Sequence, residues 1–369
     1  MYDRVVVEFP GLGIAQSELS KIAFTIGNAI EVRWYGIFIT LGIILAVAYT
    51  AWRGQKNEGI IPDDVLDVAI VTVLLGVFGA RLYYVLTELE HFPTIGSALA
   101  IWNGGLGIYG GIIGGCLGIV LACLVKKLSW RKLFDMAAPG VMLAQSIGRW
   151  GNFFNGEAYG YRIGERTTYY FFLKEYTPAS GEGTIFHFLR MGLWPSEYSM
   201  KYLVYVHPTF LYECIWNLLG FALINIFYRK KKFDGQIALM YFSWYGFGRM
   251  FIEGFRTDSL YIFKGIGGSA GLRISQLIGL ICFVGGATLL TVFLLRAKNA
   301  EPLLDACTEE LEEALDESEA LEDVEAIYGG ESGETEEDEA EEDETDGAPE
   351  EMTEEAIEET ENEEDGSEN

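Results

Sequence analysis

The chain has 369 residues, half of them hydrophobic, and a formal net charge of −28. That charge is unevenly spread: 34 of the 54 acids fall between Glu301 and Asn369, a stretch without Lys or Arg. The other 20 acids face 26 bases, so residues 1–300 carry about +6, and no nucleic-acid partner is expected.

Residues 300–369 contain blocks such as "EEDEAEEDETD" and few aromatics. Such a segment buries too little apolar surface to offset its ordering entropy, so a disordered acidic tail is expected. Its composition names no partner. Cys116, Cys123, Cys214, Cys282 and Cys307 show no CxxC spacing, and four of them lie in apolar runs. Neither a disulfide nor a zinc site is expected, and nothing calls for a metal or cofactor.

From the N-terminus, "MYDRVVVEFPGLGI" lacks the basic-then-apolar order of a signal peptide. Seven apolar stretches then approach the roughly 20 residues that a bilayer requires. They cover 35–52, 65–86, 107–125, 134–150, 208–228, 235–253 and 274–295, the fourth being short and broken by Pro139–Gly140. The expected fold class is an all-α polytopic membrane protein of about seven transmembrane helices in a membrane domain spanning 1–299.

Alternate loops differ in charge. One set carries Arg53 and Lys56, then Lys126, Lys127, Arg131 and Lys132, then "RKKK" (229–232), then Arg296 and Lys298. The loop "TELEHFPTIGSALAIWNGG" (87–105) has no Lys or Arg. The positive-inside rule then puts the first set and the acidic tail in the cytoplasm and the N-terminus outside. Segment 161–206 is too long for a simple connection and mixes aromatics with charges, so a small extracytoplasmic cap is expected there.

Most of the unusual polar residues fall on the outer side. They are Tyr35 in "RWYG", Asn103 and Tyr109 in "NGGLGIYGG", the run "GRWGNFFNGEAYG" (148–160), "HPTFLYE" (207–213) and "YGFGRMFIEGFR" (245–256). Arg, Asn and Glu are costly in hydrocarbon, and such residues mark function by default. Arg149 and Arg249, from different spans, offer planar donor forks suited to clamping one phosphate, with Asn152, Asn155 and Arg256 beside them. Glu157 and Glu253 are placed to hold guanidinium groups or move protons, Arg249 and Glu253 sharing a helix face at i, i+4. Structural readings compete: an intrahelical pair for Arg249–Glu253, an aromatic anchor for Tyr35, a helix start for His207, close packing for Gly114 and Gly115. Arg81 reads as a partner of Glu90 or of a lipid headgroup.

The thirteen residues "GRWGNFFNGEAYG" resemble the signature of the prolipoprotein diacylglyceryl transferases, a pattern close to G-R-x-G-N-F-x-N-x-E-x-x-G. "RWYG", "GGLGIYGG", "HPTFLYE" and "YGFGRMFIEGFR" resemble other motifs of that family in the same order, over roughly residues 30–296. The resemblance implies transfer of the sn-1,2-diacylglyceryl group of phosphatidylglycerol to the lipobox cysteine thiol of a prolipoprotein. The products would be a thioether and glycerol 1-phosphate, and the location a bacterial cytoplasmic membrane. It carries Arg149, Asn152, Glu157, Gly160, Tyr35, Arg249 and Glu253 over as site residues. Some members have His where this chain has Tyr109. A phenol with pKa near 10 is a poor base, so His207, Glu157, a lipid phosphate oxygen or the arginine field stay open as alternatives. A different phospholipid-headgroup transferase and a lipid or solute transporter are the rival readings.

Overall fold

The computed structural model describes residues 4–27, 30–92, 94–101, 104–163, 169–171, 174–176, 185–193, 203–263 and 272–303. The acidic tail beyond 303 and Asn103 lie outside them. In chain order come β1 (Arg4–Phe9), β2 (Ile14–Ser20), β3 (Ile22–Ile26), β4 (Ile30–Arg33), α1 (Trp34–Asn57), α2 (Pro62–Thr87), α3 (Ile95–Leu99), α4 (Ile108–Lys126) and α5 (Trp130–Asn155). They are followed by β5 (Tyr169–Phe171), β6 (Lys174–Tyr176), α6 (Ile185–Phe188), β7 (Met191–Leu193), β8 (Val204–Val206), α7 (Thr209–Tyr228), α8 (Gln236–Ile252), β9 (Tyr261–Phe263), β10 (Leu272–Arg273) and α9 (Ile274–Arg296).

The chain is mostly helical, and the long helices fall on the apolar stretches. Among the described residues, α1, α2, α4, α7 and α9 are long and apolar enough to cross a membrane. The other two differ for visible reasons: α8 has 17 residues, and α5 carries Arg131, Lys132, Asp135 and Arg149. The fourth stretch is not broken at Pro139, because α5 runs through it for 26 residues. A proline inside a helix costs ~3 kcal/mol, and the packing of α5 against α1 and α7 outweighs that here.

The all-α expectation needs correction. Antiparallel strands in the order β2-β1-β7-β8 form a sheet joining the N-terminus to the segment before α7. Alternate residues Val5, Val7 and Phe9 of β1 are buried, and they pack with Met191, Leu193, Val206 and Phe210. Phe153 and Tyr159, both from the 148–160 run, pack against the same cluster. Strands of two to seven residues leave no mark on a scan tuned to 20-residue apolar runs.

Helix pairs α1–α5, α2–α4, α5–α7 and α8–α9 make the main contacts. In α2–α4 the approach is so close that a methyl group on Gly114 would overlap the Leu75 carbonyl oxygen. Gly115 faces α2 less tightly: a Cβ there would meet Thr72 Cγ2 at 3.8 Å, and one on Gly76 would meet the Gly115 backbone at 3.9 Å. Among the described residues Arg81 pairs with carbonyls and not with Glu90, and it is too buried to face a lipid headgroup: it donates to the carbonyls of Ser97, Ala98, Gly104 and Gly105. It therefore ties Ser97, Ala98, Gly104 and Gly105 to α2.

At the end of the bundle where α5 begins, a buried ion network joins three connections. Lys231 Nζ lies 2.5 Å from Glu58 Oε1, 3.3 Å from Asp234 Oδ1 and 3.5 Å from Asp135 Oδ2. Asp135 also caps α8, accepting from Gly235 N at 2.8 Å and Ala238 N at 2.9 Å. Arg53 is buried beside it, stacked 4.2 Å over the Tyr228 ring. Two of the cations counted as loop charges are thus internal.

Candidate active site

At the opposite helix ends, three arginines converge on one carboxylate. Glu213, in the first turns of α7, is buried, with the buried polar residues Thr209 and Asn217 one turn to either side. Arg149 Nη2, from the last turns of α5, lies 2.5 Å from its Oε2. Arg249 Nη1, from the end of α8, donates to its Oε1 at 2.7 Å, and Arg256 Nη1 lies 3.4 Å from the same atom. Each arginine also has a local partner. Arg249 Nη2 meets Glu253 Oε2 at 2.7 Å, Arg256 grips Asp258 with two bonds of 2.9 and 2.8 Å, and Arg149 Nη1 donates to Asn152 Oδ1 at 3.3 Å.

Three cations thus face three carboxylates, yet the arginines are not sealed. The Arg149 side chain keeps 20% of its exposure and Arg249 15%, against 5% for Glu213 and 2% for Glu253. Each guanidinium has five N–H donors, so donors remain for a further anion. Burial opposes ionisation of both partners in the Arg256–Asp258 pair. Mutual hydrogen bonding and charge outweigh burial, holding Asp258 below the ordinary carboxylate value and Arg256 above its own. A small cavity lies against this cluster, lined by Glu213, Trp216, Asn217, Tyr245 and Arg249.

The 148–160 run explains its own composition. Helix α5 ends at Gly156 in the left-handed conformation (φ 62°), and Ala158 follows with φ 56°, a strained choice for a residue with a Cβ. The Thr209 hydroxyl holds that turn by donating to the Ala158 carbonyl. Among the described residues Glu157 is held by amides and not by a guanidinium: its Oε1 accepts from Asn152 Nδ2 and Asn155 Nδ2, both at 3.1 Å. The Asn152 amide group thus links Arg149 to Glu157. Gly160 is a crossing point, where a Cβ would lie 2.6 Å from His207 Cβ and 2.8 Å from the Phe255 carbonyl oxygen. Its N–H donates to the His207 carbonyl at 2.9 Å.

Tyr35 opens α1, half out in solvent, with its ring against Gly151 and within reach of the charges of Glu157 and Arg149. His207 is placed otherwise than a base needs. Its ring is buried among Phe186, Tyr212 and Phe255, with Nδ1 3.2 Å from the Tyr212 hydroxyl. Burial pushes its imidazole down to about 4, so it is neutral at pH 7. Tyr109 belongs to the α2–α4 pair, edge-on to Tyr83 at 6.0 Å between ring centres.

Sequence reasoning gave Glu213 no role, although an acid in "HPTFLYECIWNLLG" signals a partner by the cost of burying it alone. It also passed over Arg273, which is fully buried, donates to the Glu253 carbonyl and bonds the Tyr161 hydroxyl at 2.8 Å.

A profile of the prolipoprotein diacylglyceryl transferases matches residues 21–292. The chain belongs to that family. The phosphatidylglycerol–prolipoprotein diacylglyceryl transferase of Streptococcus pneumoniae strain Taiwan19F-14 is 42% identical over 283 residues, 76% of this chain and 96% of that protein. The enzyme of that name from strain Hungary19A-6 is 41% identical over the same shares. The match covers every cluster of the candidate site and leaves out the acidic tail, so the arginine-rich end lies wholly within the part shared with the family.

Proposed function

We propose that this chain transfers the diacylglyceryl group of phosphatidylglycerol to the lipobox cysteine of a prolipoprotein. The observation that carries the reading is the convergence of Arg149 and Arg249, from different helices, on one buried anion beside the 148–160 run. Two forks aimed at one point suit a phosphodiester, which presents paired oxygens. The cysteine sulfur attacks the glyceryl carbon that bears the phosphate. The C–S bond forms as the C–O bond breaks, the electron pair leaves on the phosphate oxygen, and the thiol proton ends on the released glycerol 1-phosphate.

Charge gathers on that oxygen as the bond breaks, and fixed cations in a water-poor site stabilise it there more than in the ground state. Arg149 and Arg249 take this role, with Asn152, Asn155, Glu253 and Arg256 ordering them. Glu157, held by two amides beside Tyr35, is the carboxylate left to receive the thiol proton. His207 and Gly160 shape the turn instead. The seven long helices cross a bacterial cytoplasmic membrane, the Arg149 end outside. The exposed bases Lys127, Arg131, Arg229, Lys230, Arg296 and Lys298 support that orientation through the positive-inside rule. Residues 161–206 form the outer cap, and the acidic tail lies in the cytoplasm.

The test uses purified protein in detergent with phosphatidylglycerol and a lipobox peptide, a Cys→Ser peptide being the control. A thioether-linked diacylglyceryl peptide and free glycerol 1-phosphate, both only with Cys, are expected by mass spectrometry. Lipid turnover without the peptide would make the acceptor wrong.

A further inference from the structure

Three helices meet at the candidate site, and their arginines are held in two ways. Arg249 is paired with Glu253 four residues on, and Arg256 with Asp258 two residues on. Those contacts fix each arginine to its own stretch of chain and say nothing about the distance between stretches. Among the described residues, the local partner of Arg149 is the neutral Asn152 amide. Among the described ion pairs, Glu213 is the group that reaches Arg149 of α5 and Arg249 of α8 together, one carboxylate oxygen to each.

Glu213 is itself anchored. Directly inward along α7, Trp216 and Trp244 stack 4.3 Å apart, and each indole N–H donates to the other's backbone carbonyl, at 3.0 and 2.9 Å. The two rings fit only because Gly248 lies under Trp216 and Gly220 under Trp244. This clasp locks α7 to α8 about one turn from Glu213 and Arg249, so the carboxylate is presented from a fixed place.

We infer that Glu213 is a positioning residue that sets the spacing of Arg149 and Arg249 for a shared phosphate, which rests on reading those arginines as phosphate ligands. A carboxylate and a phosphodiester both offer two oxygens side by side, so the pair that grips Glu213 is already arranged for the second anion. Without the bridge, two half-buried cations repel and their forks diverge. Glu213 neither accepts the thiol proton nor contacts the reacting carbon; it acts through the arginines.

Full-length protein in detergent is compared with Glu213→Gln and Glu213→Asp, with glycerol 1-phosphate as the probe. Its affinity is read by calorimetry, alongside kcat, KM for phosphatidylglycerol and the pH profile. Glu213→Gln should weaken glycerol 1-phosphate binding and raise KM by a similar factor, about tenfold or more, with the pH profile unmoved. Glu213→Asp, which keeps the charge, should recover part of both. Trp244→Phe leaves Glu213 intact and removes one arm of the clasp. It should shift both in the same direction by less, and it serves if Glu213→Gln does not fold. Tighter phosphate binding in Glu213→Gln would make Glu213 a mere competitor and overturn the inference. So would a fall in kcat with binding unchanged and the acid limb of the pH profile lost, since that is a proton acceptor. Wild-type protein that binds glycerol 1-phosphate but makes no thioether overturns the transferase reading alone, because the binding comparison stands without turnover.

Discussion

The two ends of the helix bundle each hold a buried ion network, and they are built on opposite plans. Asp135 and Arg149 are 14 positions apart on α5, about 21 Å at 1.5 Å per residue. Around Asp135, Lys231 faces three carboxylates, Lys132 reaches one of them, Glu58, at 3.8 Å, and the remaining negative charge is met by backbone N–H groups at the start of α8. Lys231 is 1% exposed and Asp135 is fully buried. Around Glu213, three arginines share the carboxylates, and their forks stay partly open. A closed network stabilises a connection; an open one with donors to spare can take a ligand.

The comparison can be broken in order of expected effect. Lys231→Met leaves Asp135 buried without its cation and Glu58 with the more distant Lys132, 3.8 Å away. It should cost about 3–5 kcal/mol of stability in detergent, read from thermal or denaturant melts, with turnover per folded molecule retained. Lost turnover in folded protein would mean the two ends are coupled. Arg149→Lys keeps the charge and loses the fork. Transfer should fall on the order of 10²-fold or more at nearly unchanged stability, and near-normal turnover would defeat the shared-phosphate grip.

The pH dependence sharpens the contrast next. His207 has its folded pKa lowered to about 4 from the ordinary 6.5. Between those values the unfolded chain binds a proton that the folded one does not, so stability rises with pH there. Acidifying from pH 6.5 towards 4 should therefore cost at most on the order of 3 kcal/mol, and His207→Gln should flatten that slope in melting curves. Asp258 acts in a separate window. Its pKa is depressed, so its contribution is present above the ordinary carboxylate range and fades only as pH falls below it. The smallest effect is expected for Tyr109→Phe, which keeps the ring against Tyr83 and should change turnover by less than about threefold. A loss as large as that of Arg149→Lys would bring the phenol into the chemistry.

Much of the molecule was legible because its signals are local. A 20-residue apolar run becomes a helix whatever surrounds it, and the i, i+4 spacing of Arg249 and Glu253 became an ion pair of 2.7 Å. The residues of the 148–160 run meet because they are consecutive at a helix end. What could not be read is non-local. Arg81 read as a partner of Glu90 or of a lipid headgroup, and folding aimed it at four carbonyls 16 to 24 residues on. Lys231, one of four consecutive bases, is the one turned inward. β1 pairs with β7 some 185 residues away, Val7 opposite Leu193, and no periodicity announces such a partner.

By itself, the sequence determined the helices, the acidic tail's separate composition and the family, because hydropathy runs, charge runs and a thirteen-residue motif are properties of consecutive residues. Only the tertiary structure decided that Glu213 bridges Arg149 and Arg249, that His207 is enclosed, and that Glu157 is held by amides. Each of those depends on which groups share a low-dielectric space, where a charge must find its opposite or be neutralised by gaining or losing a proton. That pairing is settled between helices, not along them.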